Sequence, residues 1–315
     1  MKLFKFAENA HFDFVSQRWV AFIVTGLMIL GSIGLFIAKD LNYGIDFTGG
    51  IMMEIRSPVE PDLAKMREEL NALDLGQISI QEFGQKTDLM IRIPEQPGGN
   101  AGQQAALAKV QAEINTEFPD QKVEYRRTEF VGPQVGDELK MRGVWAFGLT
   151  ILAILAYVWY RFEWQYGVSS IICLVHDTLA VVGLFSLLNM QFDLTALAAV
   201  LMVAGYSTND TVIVFDRIRE NRRKFKKMSM RDLINLSVNQ TLSRTLMTSL
   251  TTILALVALL YGGAVIRDFV IAMLFGVVVG TYSSIYVSGA ALLYMPFSDD
   301  KKRHGDDEAT EEATA

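Results

Sequence analysis

The chain has 315 residues, about half of them hydrophobic, with mean hydropathy +0.25 and net charge −6. A single cysteine, Cys173, excludes an intramolecular disulfide, and three scattered histidines, His11, His176 and His304, give no metal-ligand spacing. The acidic balance identifies no partner, because residues 299–315 alone carry seven acids against three bases. No metal, organic cofactor or nucleic-acid partner is expected.

In chain order, six runs are free or nearly free of charge: Trp19–Ala38, Gly143–Tyr160, Trp164–Phe192, Leu194–Phe215, Thr245–Ile266 and Phe269–Ser298. The third holds only His176 and Asp177, and the fourth only Asp210. A helix needs about 20 largely apolar residues to cross a hydrocarbon core of roughly 30 Å, and six such runs are too many for buried core helices. The pattern predicts a polytopic α-helical membrane protein with six transmembrane helices, one over residues 19–38 and five within 143–298. The first run is too long for a signal-peptide core, and "IAKD" at its end is no small-residue cleavage site, so it is expected to remain as a span.

Orientation follows from Lys and Arg in the short connections. With residues 1–18 in the cytoplasm, the inner segments carry three bases (1–18), one (Arg161), nine (217–244) and three (299–315), against Arg267 alone in the short outer connections. Segment 39–142 holds twelve, but segments of that length cross largely regardless of charge. Both termini are therefore expected in the cytoplasm. Residues 217–244 read as a basic cytoplasmic loop able to meet anionic lipid, 299–315 as a disordered tail, and 39–142 as one exported domain.

Within that domain, 51–56, 77–83, 88–93 and 121–131 read as strands, and 61–73 and 103–117 as helices. The turn "GQKT" and the loop "PEQPGGNAG" (94–102) separate them. The order strand, helix, strand, strand, helix, strand predicts an α+β ferredoxin-like periplasmic domain. It shows no Gly-rich phosphate loop, nucleophile elbow or His–carboxylate cluster, so a binding or mechanical role is expected and an enzyme is not.

Asp210 closes the stretch "GYSTND" (205–210) inside the fourth run. A central Asp costs about 2.5–3.5 kcal/mol on insertion scales, so it should face protein or water and serve as an ion or proton site. A helix-packing hydrogen bond is the competing reading. Tyr206 and Ser207 share its helical face at i−4 and i−3, and Asn209 flanks it. A helix end near Asp216 places Asp210 about 9 Å from the cytoplasmic end. The fifth span opens "SRTLMTSLTT" (243–252), with Arg244 first and Thr245, Thr248, Ser249 and Thr252 following on one face. Arg244 can reach Asp210 by its long stem, or serve only as a positive-inside anchor. His176 and Asp177 point about 100° apart on a helix and so are not expected to share one contact. Relay and structural roles both stay open for them. In the sixth span, "GVVVG" (276–280) suits close helix approach and "TYSSIYVSG" (281–289) offers interhelical hydrogen bonds.

Several of these stretches occur together, in order: "GIDFTGG" (44–50), "EFVGPQVG" (129–136), "YRFEW" (160–164), "HD" (176–177), "GYSTNDTVIVFDRIREN" (205–221) and "QTLSRTLMTS" (240–249). They resemble the SecF subunits of bacterial Sec protein export, within the SecD/SecF family that is related to resistance-nodulation-division transporters. The resemblance runs from about residue 9 to residue 295. It implies an inner-membrane accessory subunit paired with SecD. That pair works beside the SecYEG channel and the SecA ATPase on an exported, unfolded polypeptide, driven by an H⁺ or Na⁺ gradient. It also implies that Asp210 and Arg244 lie on the ion pathway. Thr208 stands where the family often has an apolar residue. His176, Asp177, Tyr206, Ser207, Asn209 and Thr248 remain candidates for relay or support. Two other classes compete. A small-molecule exporter of the resistance-nodulation-division type carries about twice this helix count in one chain. An intramembrane aspartyl protease using Asp177 and Asp210 calls for a GxGD pattern that "YSTND" lacks.

Overall fold

The structure, a computed structural model, describes residues 11–83, 85–117, 123–262 and 266–297. The tail expected at 299–315 lies outside the described residues. The first half of the chain runs α1 (Arg18–Lys39), β1 (Asn42–Tyr43), a one-turn α2 (Ile45–Thr48), β2 (Gly50–Arg56), α3 (Leu63–Asn71), β3 (Ser79–Phe83), β4 (Gln85–Ile93), α4 (Gly99–Glu117) and β5 (Glu124–Val131). The second half runs α5 (Pro133–Arg161), α6 (Trp164–Leu188), β6 (Gln191–Phe192), α7 (Leu194–Lys224), α8 (Met230–Leu259), α9 (Arg267–Tyr282), a π-helical turn (Ser283–Val287) and α10 (Ser288–Leu292).

Six helical stretches are long and apolar enough to cross a membrane: α1 from Val15, α5, α6, α7, α8, and α9 continued through the π turn and α10 to Leu292. They divide into an inner and an outer set. The apolar windows of α6 and the last stretch are 56% and 61% buried, and that of α7 is 44% buried, whereas α1, α5 and α8 stand at 11%, 11% and 17%. Small residues permit the inner contacts. A Cβ on Gly276 would collide with the Val203 side chain, and one on Gly280 would lie 2.9 Å from Ser207 Cβ, so α9 seats directly on α7. Val181, Phe185, Ala199, Val200, Val203, Val270 and Val277 form one cluster of this core, and Tyr166, Phe215, Ile218, Leu233 and Val238 form another.

The extramembrane unit is a four-stranded sheet in the order β3-β4-β2-β5, every neighbour antiparallel. Alternation sends Ile51, Met53 and Ile55 of β2 into a core with Met66 and Leu70 of α3 and Val110 and Ile114 of α4. Asp62 caps α3 by accepting from the Ala64 and Lys65 amides. A bulge between Glu54 and Ile55 shifts the β2–β5 register.

Several boundaries differ from the expectation. Residues 217–244 are not a loop: α7 continues to Lys224 and α8 begins at Met230, leaving five residues between them. Those helix ends are polar, so hydropathy ends each element where the apolar run ends. Ser229 caps α8 by accepting from the Asp232 amide, a signal independent of hydropathy. Asp210 therefore sits about 21 Å from the end of its helix, although the first charged residue beyond it, Asp216, is still about 9 Å away. Helix α4 starts at Gly99, α3 is shorter than 61–73, and β4 takes in Gln85–Thr87 of the expected turn. The pair β1–β6 and helix α2 are too short for periodicity to reveal.

Candidate functional site

Two polar clusters lie inside the bundle, joined through α7. In the first, Asp177 is fully buried on α6 and accepts from three side chains. Ser207 of α7 and Ser283 of the π turn both donate to Oδ2, the latter at 2.8 Å, and His176 Nδ1 lies 2.8 Å from Oδ1. The carboxylate thus ties three helical segments together. His176 and Asp177 touch each other directly, while Ser207 and Ser283 bond Asp177 and not His176. His176 Nε2 is buried without a partner among the described residues, and the ring tilts against Tyr282 at 6.0 Å. The π turn places Ser283; its sequence signal was the hydroxyl-rich stretch after Gly280.

The second cluster lies one turn along α7. Asp210 is 1% exposed, and neither of its carboxylate oxygens has a hydrogen-bond partner among the described residues. Arg244 and Thr248 of α8 are the groups that act on it. Thr248 donates its hydroxyl to the Thr245 carbonyl at 2.9 Å. The neighbouring hydroxyls of Thr211 and Thr245 are also buried and unpartnered. An ionised carboxylate in that state is costly to keep, so the site is chemically suited to taking up a proton or a small cation.

Arg244 is exposed and lines an open cleft of about 730 Å³ at the basic end of the bundle, with Arg161, Asp216, Arg219, Glu220 and Arg223 among the other walls. Asp216 and Glu220 are taken up by Arg161 (2.8 Å) and Arg217 (3.1 Å). The cleft brings solvent to the guanidinium that acts on Asp210.

The other candidates separate. Tyr206 turns to α8, its hydroxyl 3.5 Å from Ser249, which in turn meets Thr281 of α9 at 2.6 Å. Asn209 is exposed and outside both clusters. Asp177 and Asp210 do not bond to each other. Among the described residues no group of three or more His, Cys, Asp or Glu could hold a metal.

The family model "Protein export membrane protein SecD/SecF, C-terminal" matches residues 110–298, and the "SecD/SecF GG Motif" matches 34–57. The chain is 44% identical over 285 residues to "Protein translocase subunit SecF" of Rickettsia felis, covering 89% of this chain and 91% of that one. This chain belongs to the SecF family. Its similarity to the SecF subunit of Rhodobacter capsulatus is 42% over 309 residues, covering 94% and 92% of the two chains. Among solved structures, SecDF of Thermus thermophilus, a translocon-associated membrane protein, matches this SecF-family chain with TM-score 0.82 and 36% identity over 91% of its length. SecDF in its super-membrane-facing form matches with TM-score 0.67 and 35% identity over 96%. The chain spans only 39% and 40% of those two solved chains.

Proposed function

We propose that this SecF-family chain is an accessory subunit of the Sec protein translocase that couples an H⁺ or Na⁺ gradient to late, outer-side steps of protein export. SecD is its partner, and SecYEG, SecA and the exported unfolded polypeptide are what the pair works beside and upon. The extramembrane sheet and its two helices are read as a ferredoxin-like, non-catalytic periplasmic domain. The basic end of the bundle and both termini are read as facing the cytoplasm, with the chain in the inner membrane.

The observation that carries the coupling role is Asp210: a carboxylate enclosed among helices, its oxygens without a hydrogen-bond partner among the described residues, acted on by one arginine that lines an open cleft. Desolvation and a neighbouring cation act on a carboxylate in opposite senses, so loading and release of a cation can follow small changes in their balance. Moving one charge through about 150 mV is worth roughly 3.5 kcal/mol, enough to switch conformations separated by a few kcal/mol. Asp177 supports the site through Ser207, three residues before Asp210 on the same helix.

Measuring export in sealed membranes while Na⁺ and pH are varied independently tests the reading. Stimulation that tracks one ion's gradient supports it. Export that responds to neither, with ATP-driven translocation intact, contradicts it.

A further inference from the structure

The segment matched by the GG motif does more than connect α1 to the domain. Strand β1 pairs in parallel with β6 in the connection between α6 and α7, Asn42 opposite Gln191 and Tyr43 opposite Phe192. The Gly44 amide donates to the Phe192 carbonyl at 2.8 Å. A Cβ on Gly44 would lie 2.9 Å from both Asp193 Cβ and Gln191 Nε2, so only glycine lets the two strands approach this closely. Asp46 then accepts from the Leu194 amide at 3.0 Å, satisfying one of the free N–H groups in the first turn of α7. Asp193, the cap of that helix, takes the Ala196 amide at 2.8 Å. Phe47 stacks on Phe192 at 6.1 Å.

The domain grips the same segment from the other side. Arg92 of β4 is 9% exposed and donates through Nη1 to Asn42 Oδ1 (2.9 Å) and to the Tyr43 carbonyl (3.1 Å). Its other two nitrogens are buried without a hydrogen-bond partner among the described residues, in the field of Asp193 and of Asp268 in the first turn of α9. Asp268 itself accepts from the Gln191 amide at 3.2 Å. The paired glycines then turn the chain into β2, Gly49 at φ +72° and Gly50 at φ +113°, conformations that side chains strongly disfavour.

We infer that residues 42–50 are a mechanical clamp that makes the extramembrane domain move with the outer end of α7, and that Asp46 and Arg92 are its positioning residues. This rests on the proposed ion-coupling role. Helix α7 carries Asp210 about 24 Å along its axis from the clamped end, so a shift of the helix at the ion site is delivered to the domain without an intervening flexible link. The clamp also gives the GG motif a physical reason: close approach at Gly44, then a sharp turn at Gly49–Gly50.

The test breaks the clamp and then restores it covalently, in the full chain with its partner in sealed membranes. Asp46→Ala with Arg92→Ala removes the α7 contact and the domain's grip. Asn42→Cys with Gln191→Cys, placed on that background, joins register partners of a parallel strand pair, whose spacing suits a disulfide. Cys173 is buried and alone, so the pairing is unambiguous. The broken variant should lose the gradient-dependent increment of export, oxidation of the cysteine pair should restore it, and reduction should remove it again. Tryptophan fluorescence, which does not read thiols, should show the reduced form as folded as the oxidised form at the assay temperature, which separates coupling from folding. Full gradient stimulation in the broken variant, or no recovery on oxidation, overturns the clamp. Gradient stimulation that survives Asp210→Asn in the unbroken chain overturns the ion-site reading instead, and the break-and-restore pair then judges the clamp separately.

Discussion

Gly280→Ala puts one methyl group where α9 rests on α7. Its Cβ would stand 2.9 Å from Ser207 Cβ and 3.2 Å from Ser207 Oγ, whereas carbon atoms in contact prefer about 3.5–4.0 Å. The helices must part by roughly half an ångström or more, and overpacking of this kind costs about 1–3 kcal/mol. The displaced atom is also the donor to Asp177, so the carboxylate that ties α6, α7 and the π turn loses one of its bonds. Gly205→Ala is the matched control: it lies on α7 with nothing within 4 Å of the new methyl, and replacing a helical Gly by Ala is neutral or stabilising by up to about 1 kcal/mol. Cys173, the single cysteine and 2% exposed, reports unfolding through a thiol-reactive dye in a detergent-solubilised thermal ramp. Gly280→Ala should lower the labelling midpoint by roughly 2–12 °C, at 2–4 °C per kcal/mol, while Gly205→Ala leaves it in place or raises it. Equal midpoints for the two variants would refute the seating of α9 on α7.

Asp177→Ala strands the Ser207 hydroxyl and His176 Nδ1 in the interior, at about 1–3 kcal/mol for each unsatisfied group, while Ser283 still has the Gly280 carbonyl at 3.1 Å, and it should lower the same labelling midpoint. Asp177→Asn keeps the shape and an acceptor, so it should be milder for both stability and gradient-stimulated export; an export defect as deep as that of Asp210→Asn would make Asp177 a relay member. In the domain, Arg56 forks onto Asp88 at 2.6 and 2.8 Å and holds its carboxyl below the ordinary value of 3.8, against burial that opposes it. A lowered value in the folded state means the unfolded state binds more protons, so the pair's stabilisation is present above the ordinary value and is lost as pH falls through the folded one. Hydrogen exchange of β2 and β4 amides should accordingly be faster in Asp88→Asn at neutral pH, with the difference from the parent shrinking in acid; a pH-independent difference would contradict this assignment. Reporter fusions after Gly99 and after Asp300 should report opposite sides of the membrane, and same-side signals would overturn the proposed topology.

The membrane helices were legible because lipid imposes a length and a composition that a run such as Trp19–Ala38 meets unaided. Their extensions were not: Arg217–Lys224 and Met230–Arg244 are helical yet polar, and only the Ser229 cap marks the second of them. Asp210 stood out because a carboxylate in an apolar run is costly unless it faces protein or water, and its proximity to Arg244 and Thr248 follows from α7 and α8 being sequential antiparallel neighbours. Asn209 was drawn in by adjacency alone, and the helical turn carries it outward. The His176–Asp177 contact depends on side-chain rotamers that sequence spacing does not encode. The junction residues were hidden for another reason. Asp46, Arg92 and Asp193 are ordinary polar residues of a one-turn helix, a strand and a helix cap, and their partners come from elements up to 148 positions away, as with Asp46 and Leu194.

On the proposed reading Asp210 carries the coupling ion, and neutralising its charge isolates that role. Asp210→Asn keeps the side chain's size and removes the charge that a proton or Na⁺ would neutralise. Export of a late-stage translocation intermediate would be followed in sealed membranes, with SecD association and ATP-driven translocation monitored alongside, before and after an ion gradient is imposed. The predicted result is complete loss of the gradient-dependent increment in a chain that still inserts and still associates with its partner. Undiminished gradient dependence in the same chain would make Asp210 a structural residue and contradict the claim.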